Sequence, residues 1–377
     1  MVNYKMVCCV LAICFCFCAT SCVRDSGENS ETISSSTSLS DSKELGEKKI
    51  HEDITFELSQ IENAGRAHGS SYSVEKTDFV WTQVKDILLE DKEIETEQEL
   101  SEGYTCATSD SDLLTVTGGG NIFFATDRYL NKISPTVTVQ ENAPGYNGDH
   151  FDAQKDLPFM TQDQAIKKAL SLLDNLKITN MAVQKTYVLE HSQLQKEQDA
   201  LAEAGEAWTF DKEKNERIPV AVQYTEEDDF YYFTLWETLD GIHITPYPHG
   251  SPDDDSYVTG ARAEMILSSR GIEYLSVESH YMVMNKEEEE ALIRPEQAIQ
   301  ALENKYDQII LSNPVTVENM SLLYVPEIVN KNENKFELTP VWAFFTTEEI
   351  TALGAKDNKA IKETMVYFNA VNGKEIV

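Results

Sequence analysis

The sequence predicts an α+β fold in which antiparallel β-structure predominates. Many short stretches alternate apolar and polar residues, as Ile54, Phe56 and Leu58 do, and this period of two is typical of half-buried strands. Helical periodicity is confined to a few segments, and the order of a helix followed by several strands occurs twice after residue 158. We therefore predict two related units, each a helix with a curled antiparallel sheet, after a smaller α+β N-terminal region.

The chain begins with a predicted export signal, residues 1–21. Lys5 is the only charged residue before Arg24, and an apolar run extends from Met6 to Ala19. This run is shorter than the roughly 20 apolar residues that a spanning helix needs. Ala19-Thr20-Ser21-Cys22 resembles the lipobox of bacterial lipoproteins, which implies lipidation of Cys22. Ordinary signal peptidase would cut at the same bond, so secretion without a lipid is the alternative.

Residues 22–50 predict a disordered tether. The segment is rich in Ser, Thr, Glu and Asp and has too few large apolar residues to form a core. A random coil of this length spans on the order of 30 Å. A lipid on Cys22 would then hold the folded body away from the outer face of the cell membrane.

Charge and cysteine content exclude several functions. Asp and Glu number 65 against 31 Lys and Arg, and the net charge is −34. Such a surface repels nucleic acid, so we expect no nucleic-acid partner. After the signal and Cys22, only Cys106 remains, which excludes an intramolecular disulfide and a cysteine metal cluster. We expect Cys106 to be a small buried side chain.

Residues 51–158 form the predicted N-terminal α+β region. A strand is predicted from Ile54, and a helix over Thr77–Glu90 places its apolar residues on one face. Two β-rich runs flank Gly118-Gly119-Gly120 and predict a hairpin. The glycines lack the Lys and Ser/Thr of a phosphate loop, which argues against nucleotide binding.

Residues 159–290 form the first predicted unit. A capped helix opens at Thr161. An insertion at residues 192–217 is helical by propensity, and we expect it to pack outside the sheet and contribute to a partner-binding face. Glu287–Glu290 is interpreted as the solvated start of the next unit's helix. The predicted strands are Ala182–Leu189, Phe230–Glu237, Gly241–Tyr247, Arg262–Leu267 and Ile272–Val277.

Residues 291–377 form the second predicted unit. Its helix opens at Arg294-Pro295, with proline in the first turn, and Asn372-Gly373 predicts a tight turn near the end. The two helix openings match, and so do Leu235-Trp236 and Val341-Trp342, so we expect the units to superpose. The predicted strands are Ser321–Val329, Phe336–Thr346 and Val366–Val371.

The paired units resemble PepSY-type and YycH/YycI-type units. The resemblance implies an extracytoplasmic protein of a Gram-positive bacterium, a class that includes membrane-tethered regulators of a cell-wall histidine kinase. The chain also resembles uncharacterised clostridial lipoproteins of similar length, for which the family implies no activity. The residues that carry the resemblance are Asp163–Ile166, Asp240–Ile244, Ser269–Tyr274, Glu296–Ile299, Leu338–Trp342 and Asn369–Ile376.

Candidate metal ligands occur at one place, where His243 and His249 precede a triple aspartate that begins at Asp253. Imidazole and carboxylate together could hold a metal ion. However, His243 alternates with isoleucines as in a strand, and the Pro-Gly segment beyond it has ordinary turn composition. We therefore expect a hairpin loop with no metal and no cofactor.

No catalytic motif stands out, so we expect the protein not to be an enzyme. The leading hypothesis is a non-catalytic, lipid-anchored extracytoplasmic protein that binds or regulates another cell-envelope protein. A solute-binding lipoprotein is the alternative, and an envelope hydrolase is the weaker one. A deep cavity with convergent polar groups would favour the alternatives, whereas exposed strand edges and faces would favour protein binding.

Overall fold

The structure is a computed structural model that describes most of the chain after the predicted tether. By its internal contacts the chain divides into two compact units, each discontinuous in sequence. The predicted signal peptide, Cys22 and Asp253 lie outside the described residues. The described residues are 48–51, 54–56, 61–140, 143, 145–211, 216–250, 257–330, 334–351 and 359–376.

Helices are few and strands are many, as the sequence predicts. No helix in the described ranges combines the length and apolarity that a membrane crossing requires. The α-helices are α1 Trp81–Leu89, α2 Gln162–Asn175, α3 His191–Glu203 and α4 Pro295–Tyr306. The strands are β1 Lys48–His51, β2 Ile54–Phe56, β3 Ile61–Glu62, β4 His68–Gly69, β5 Tyr72–Lys76, β6 Ile94–Leu100, β7 Gly103–Thr108, β8 Leu113–Thr117, β9 Asn121–Ala125, β10 Met181–Leu189, β11 Trp208–Asp211, β12 Glu216–Pro219, β13 Phe230–Leu239, β14 Ile242–Ile244, β15 Arg262–Ser268, β16 Gly271–Glu278, β17 Tyr281–Lys286, β18 Glu290–Ala291, β19 Val315–Asn330, β20 Lys335–Thr351, β21 Lys359–Asn369 and β22 Glu375–Ile376.

The first unit comprises residues 1–64, 299–321 and 343–366. Strand β1 pairs antiparallel with β2, whereas β2 and β3 run parallel to the first half of β19. Ile54, Phe56 and Val317 are buried there. The expectation of purely antiparallel pairing in the second predicted unit is therefore wrong for β19, whose first half takes parallel neighbours from the start of the folded chain.

The second unit comprises residues 65–298, 322–342 and 367–377, and it contains an eight-stranded antiparallel sheet. The order is β10, β13, β15, β16, β9, β8, β7, β6. Strands β8 and β9 form the predicted hairpin over the glycine triplet. This sheet confirms the α+β class with mainly antiparallel strands, and it combines strands from the predicted N-terminal region with strands of the first predicted unit.

Both faces of the sheet are buried at its central strands, because these strands alternate large side chains between two cores. Tyr231, Phe233 and Leu235 belong to the core that α1 and α2 cover. Phe230 and Tyr232, on the other side of the same strand, belong to the core that includes Leu194 of α3. The sequence of β13 is therefore an almost continuous apolar run, as expected for a strand that is buried on both faces.

The helix of the insertion at residues 192–217 packs on one face of the sheet and contributes to the core there. This helix ends at Glu203, and β11 and β12 form a two-stranded antiparallel ribbon after it. Leu194 is fully buried, and the amide of buried Gln198 accepts a hydrogen bond of 3.2 Å from the Thr136 hydroxyl. The insertion therefore completes the second face of the sheet.

The two predicted repeats share their helix openings. The Gln164 side chain accepts the backbone N–H of Thr161 at 3.1 Å, and that of Gln297 accepts the N–H of Arg294 at 3.0 Å. The matched tryptophans differ, however. Trp342 is fully buried and donates to the Ile293 carbonyl, whereas Trp236 is half-buried. Superposition of the two units therefore stays a prediction.

Candidate functional site

The two candidate metal-ligating histidines have separate partners. In His243, Nε2 lies 3.2 Å from the Gln184 amide nitrogen and Nδ1 lies 2.8 Å from the Thr238 hydroxyl. In His249, Nε2 donates to the Pro326 carbonyl at 2.8 Å. Burial lowers the pKa of each imidazole, which favours the neutral form. The described residues contain no group of three or more metal-binding side chains, and Asp253 lies outside them.

Cys106 is buried on β7, as predicted. Its side chain is a free thiol, and burial raises its pKa to about 11. A thiol with such a pKa is almost entirely protonated at neutral pH, so it is a poor nucleophile. Cys106 therefore contributes packing to the core that α1 covers.

A small cavity lies between α1 and the end of α2. Its volume is about 130 Å³, and Phe79, Val84 and Leu176 are among the residues that line it. Typical small-molecule sites enclose roughly 300–1,000 Å³. This cavity therefore offers little room for a solute.

Among the described strands, β17 has the most extended run of exposed apolar residues. Met282, Val283 and Met284 are 48%, 40% and 55% exposed. Exposure continues without interruption to Ala291, so both faces of this segment reach solvent. An ordinary sheet strand buries alternate residues, and β17 departs from that pattern after Tyr281.

Strand β17 is an edge. It pairs antiparallel with β5, and among the described residues it has no second strand partner. Beyond β17 the chain continues to pair with the residues that precede β5. The Glu287 N–H donates to the Ser71 carbonyl at 3.0 Å, and β18 pairs with β4. Within the described ranges, the segment from Met282 to Ala291 thus has one backbone edge without a strand partner, which is a template for another strand.

The start of β17 is held firmly in the core. Glu237 is 1% exposed, and its carboxylate accepts the Tyr281 N–H at 3.2 Å and lies 3.2 Å from Nδ1 of His280. Burial, followed by the Glu237 charge, raises the pKa of the Tyr281 hydroxyl well above its ordinary value. Gly120 contacts the His280 backbone so closely that a Cβ would lie 2.6 Å from its carbonyl oxygen. The exposed edge is therefore supported by a rigid base.

The second half of the edge is acidic. Lys286 is bound by the Asp240 carboxylate at 2.6 Å, and this contact, followed by the Tyr72 hydroxyl, lowers the pKa of Asp240. Glu287 accepts a hydrogen bond of 2.7 Å from the Asn285 amide. In the described part of the chain, no lysine or arginine pairs with Glu288, Glu289 or Glu290. The run therefore leaves negative charge facing solvent.

Sequence reasoning missed this edge. We predicted no strand between Val277 and the second unit, and the expectation that Glu287–Glu290 begins a helix is wrong, because Glu290 lies in β18 and α4 begins at Pro295. The available signal was Met282-Val283-Met284, a β-compatible apolar run next to four glutamates. Apolar residues that are exposed cannot be told from buried ones by type alone.

Comparison with known proteins identifies the fold but no activity. No family model and no curated relative matches the chain. The structure is similar to the crystal structure of an uncharacterized protein from Eubacterium rectale, with a TM-score of 0.62 and 15% sequence identity, over 88% of this chain and 92% of that one. At this identity the likeness shows a shared fold.

Proposed function

We propose that the protein is an extracytoplasmic lipoprotein, anchored through Cys22, that binds or regulates another cell-envelope protein and does not catalyse a reaction. The observation that supports this function best is the exposed apolar edge of β17. The resemblance to PepSY-type and YycH/YycI-type units and the lipobox-like Ala19–Cys22 support the location and the Gram-positive origin.

Strand addition is the binding mode that such an edge favours. A partner strand would satisfy the outward backbone N–H and C=O groups of β17, and it would cover Met282 and Met284. Methionine suits a binding surface because its flexible thioether adapts to different partners. The buried contacts of Tyr281 and Glu237 fix the edge in position before binding, which lowers the entropy lost on association.

In-cell crosslinking tests this function. A photo-crosslinking amino acid at Val283, in the full-length protein on living cells, should capture a second envelope protein. The same amino acid at Gln98, on the polar edge strand β6, is the matched control and should capture much less. Equal capture at the two positions, or none at Val283, would contradict binding through β17.

Mass spectrometry tests the anchor. We expect diacyl or triacyl modification on Cys22 of the mature protein, and Cys22→Ser should release the protein into the medium. An unmodified Cys22 in mature wild type would support secretion without a lipid.

A further inference from the structure

We propose that the partner of β17 presents an extended segment with a cationic N-terminal half and an apolar C-terminal half, which pairs antiparallel with residues 282–290. This inference rests on the proposed function and names the chemistry that the edge recognises. The occupant is thus a positively charged strand of another protein.

The chemical division of the edge defines what the segment must carry. Met282, Val283 and Met284 offer apolar contact, and Glu287–Glu290 follows on the same edge of the backbone. Because a strand rises about 3.3 Å per residue, the nine residues extend over roughly 30 Å. A segment that matches both parts places apolar side chains against the methionines and cations against the glutamates.

The need for a cation follows from how charge is distributed along this edge. Lys286 could have neutralised the run, but it is bound to Asp240, whose carboxylate also accepts the Tyr72 hydroxyl at 2.5 Å. Among the described residues, Glu288, Glu289 and Glu290 form no ion pair, and Lys286 reaches Glu289 only through a longer-range electrostatic interaction. Opposite charges across an interface steer encounter and fix the register of pairing.

The direction is inferred from the general preference for antiparallel pairing. Strand β17 is antiparallel to β5, and antiparallel pairing is slightly more stable per residue than parallel pairing. In an antiparallel partner, the residues opposite Glu287–Glu290 come before those opposite Met282–Met284. Cationic residues must therefore precede apolar residues in the partner's sequence.

A second copy of this chain fits the edge poorly. The chain carries a net charge of −34. In an antiparallel pair of two copies, the acidic run of each copy would lie opposite the methionines of the other, so the glutamates would gain no cation and two strongly negative proteins would meet. Like charges across a contact oppose association. Charge complementarity therefore favours a different, cationic protein over self-pairing.

Two capped peptides of equal composition test the direction and the charge. The first has a run of four lysines, two serines and then Val-Ile-Val, and the second has the same residues in reverse order. Fluorescence anisotropy with the full-length lipoprotein in neutral detergent micelles measures both affinities. We expect the first peptide to bind about tenfold more tightly than the second, with an affinity that falls as salt rises.

Two triple variants test the acidic run. Glu288→Gln with Glu289→Gln and Glu290→Gln should weaken the first peptide about tenfold and flatten its salt dependence, since several exposed pairs each contribute modestly. Glu93→Gln with Glu95→Gln and Glu99→Gln removes the same charge near and on β6 and should change neither. Glu97 is left intact because it binds Trp81 and Lys85.

The outcomes separate this inference from the proposed function. Equal binding of the two peptides, or unchanged binding to the glutamine variant of the acidic run, overturns the cationic antiparallel segment, while crosslinking at Val283 would still uphold binding through β17. Loss of crosslinking at Val283 overturns the proposed function itself. Concentration-dependent dimers that disappear on Met284→Lys would show that a second copy is the occupant and would also overturn the inference.

Discussion

Strands β6 and β17 are both unpaired on one side among the described residues, yet their side chains differ. Strand β6 has Glu95, Glu97 and Glu99 on one face, with polar residues between them. Strand β17 has Met282, Val283 and Met284 at comparable exposure. Charged residues on an edge oppose the addition of another strand, whereas an exposed apolar edge invites it. The comparison shows that exposure alone does not make an edge a binding site. Whether its side chains are charged or apolar determines whether another strand can add to it.

The supports of the two edges also differ. Glu97 of β6 accepts hydrogen bonds of 2.8 Å from the indole of buried Trp81 and from the Lys85 ammonium, and the Lys85 contact lies near the surface. Below β17, Glu237 makes its contacts with His280 and Tyr281 inside the core. The polar edge is therefore held by contacts that are partly open to solvent, and the apolar edge by contacts that are fully buried. Four predictions test this contrast.

The largest expected effect is a loss of partner capture when β17 carries charged residues, as β6 does. Met282→Lys with Met284→Lys should reduce partner capture by at least about tenfold, because an apolar contact cannot accommodate an unpaired ammonium. Quantitative pull-down of the full-length protein measures it. Thr96→Lys with Gln98→Lys on β6 has the same spacing and should leave capture unchanged. Equal losses from both pairs would show that charge anywhere on the surface matters.

The next effect concerns the buried base of β17. Glu237→Ala should lower the free energy of unfolding by about 1–3 kcal/mol, because it leaves the Tyr281 N–H without its acceptor in the core. Denaturant unfolding measures the loss. The milder Glu237→Gln keeps an acceptor and should cost less. A change within experimental error for Glu237→Ala would mean that β17 does not depend on this contact.

A smaller effect is expected at the support of β6. Glu97→Ala should lower the free energy of unfolding by at most about 1 kcal/mol, because its partner Lys85 is near the surface and solvent screens the pair. The same denaturant assay applies. A cost equal to that of Glu237→Ala would remove the distinction between the two supports.

The smallest effect is the pH dependence of the Asp240–Lys286 contact beside the edge. Lys286 and then Tyr72 lower the folded-state pKa of Asp240 below its ordinary value of 3.8. The contact therefore stabilises the folded state fully above pH 3.8, and this contribution is lost as pH falls through the lowered pKa. Asp240→Asn should be slightly less stable than wild type at pH 7, with the difference vanishing in acid. A difference that persists at the lowest pH would indicate a cause other than charge.

Local patterns predicted the parts of the fold that depend on neighbours in sequence. The cap at Thr161 and the hairpin over Gly118–Gly120 are present, and Asn372-Gly373 lies in the four-residue loop of the β21–β22 hairpin. Each depends on backbone preferences and hydrogen bonds within a few residues. Burial of Cys106 was also predictable, because no other group in the sequence gave the thiol a chemical role.

The candidate site was not predictable in the same way. His243 and His249 attracted attention as residue types, but the structure gives them different partners. The segment at Met282 was overlooked because an apolar triplet usually lies in a core. Its exposure results from the position of β17 outside β5, which no local pattern encodes.

The sequence by itself determined the α+β class, most strand positions, the helix openings and the negative charge, because alternation, capping and composition act locally or additively. Only the tertiary structure decided that β19 takes parallel neighbours, that Leu194 of the insertion completes a core, and that β17 is left at an edge. These outcomes depend on contacts between residues far apart in sequence. Such contacts are selected by the burial of whole faces, so the same apolar residue can lie inside one sheet or at the rim of another.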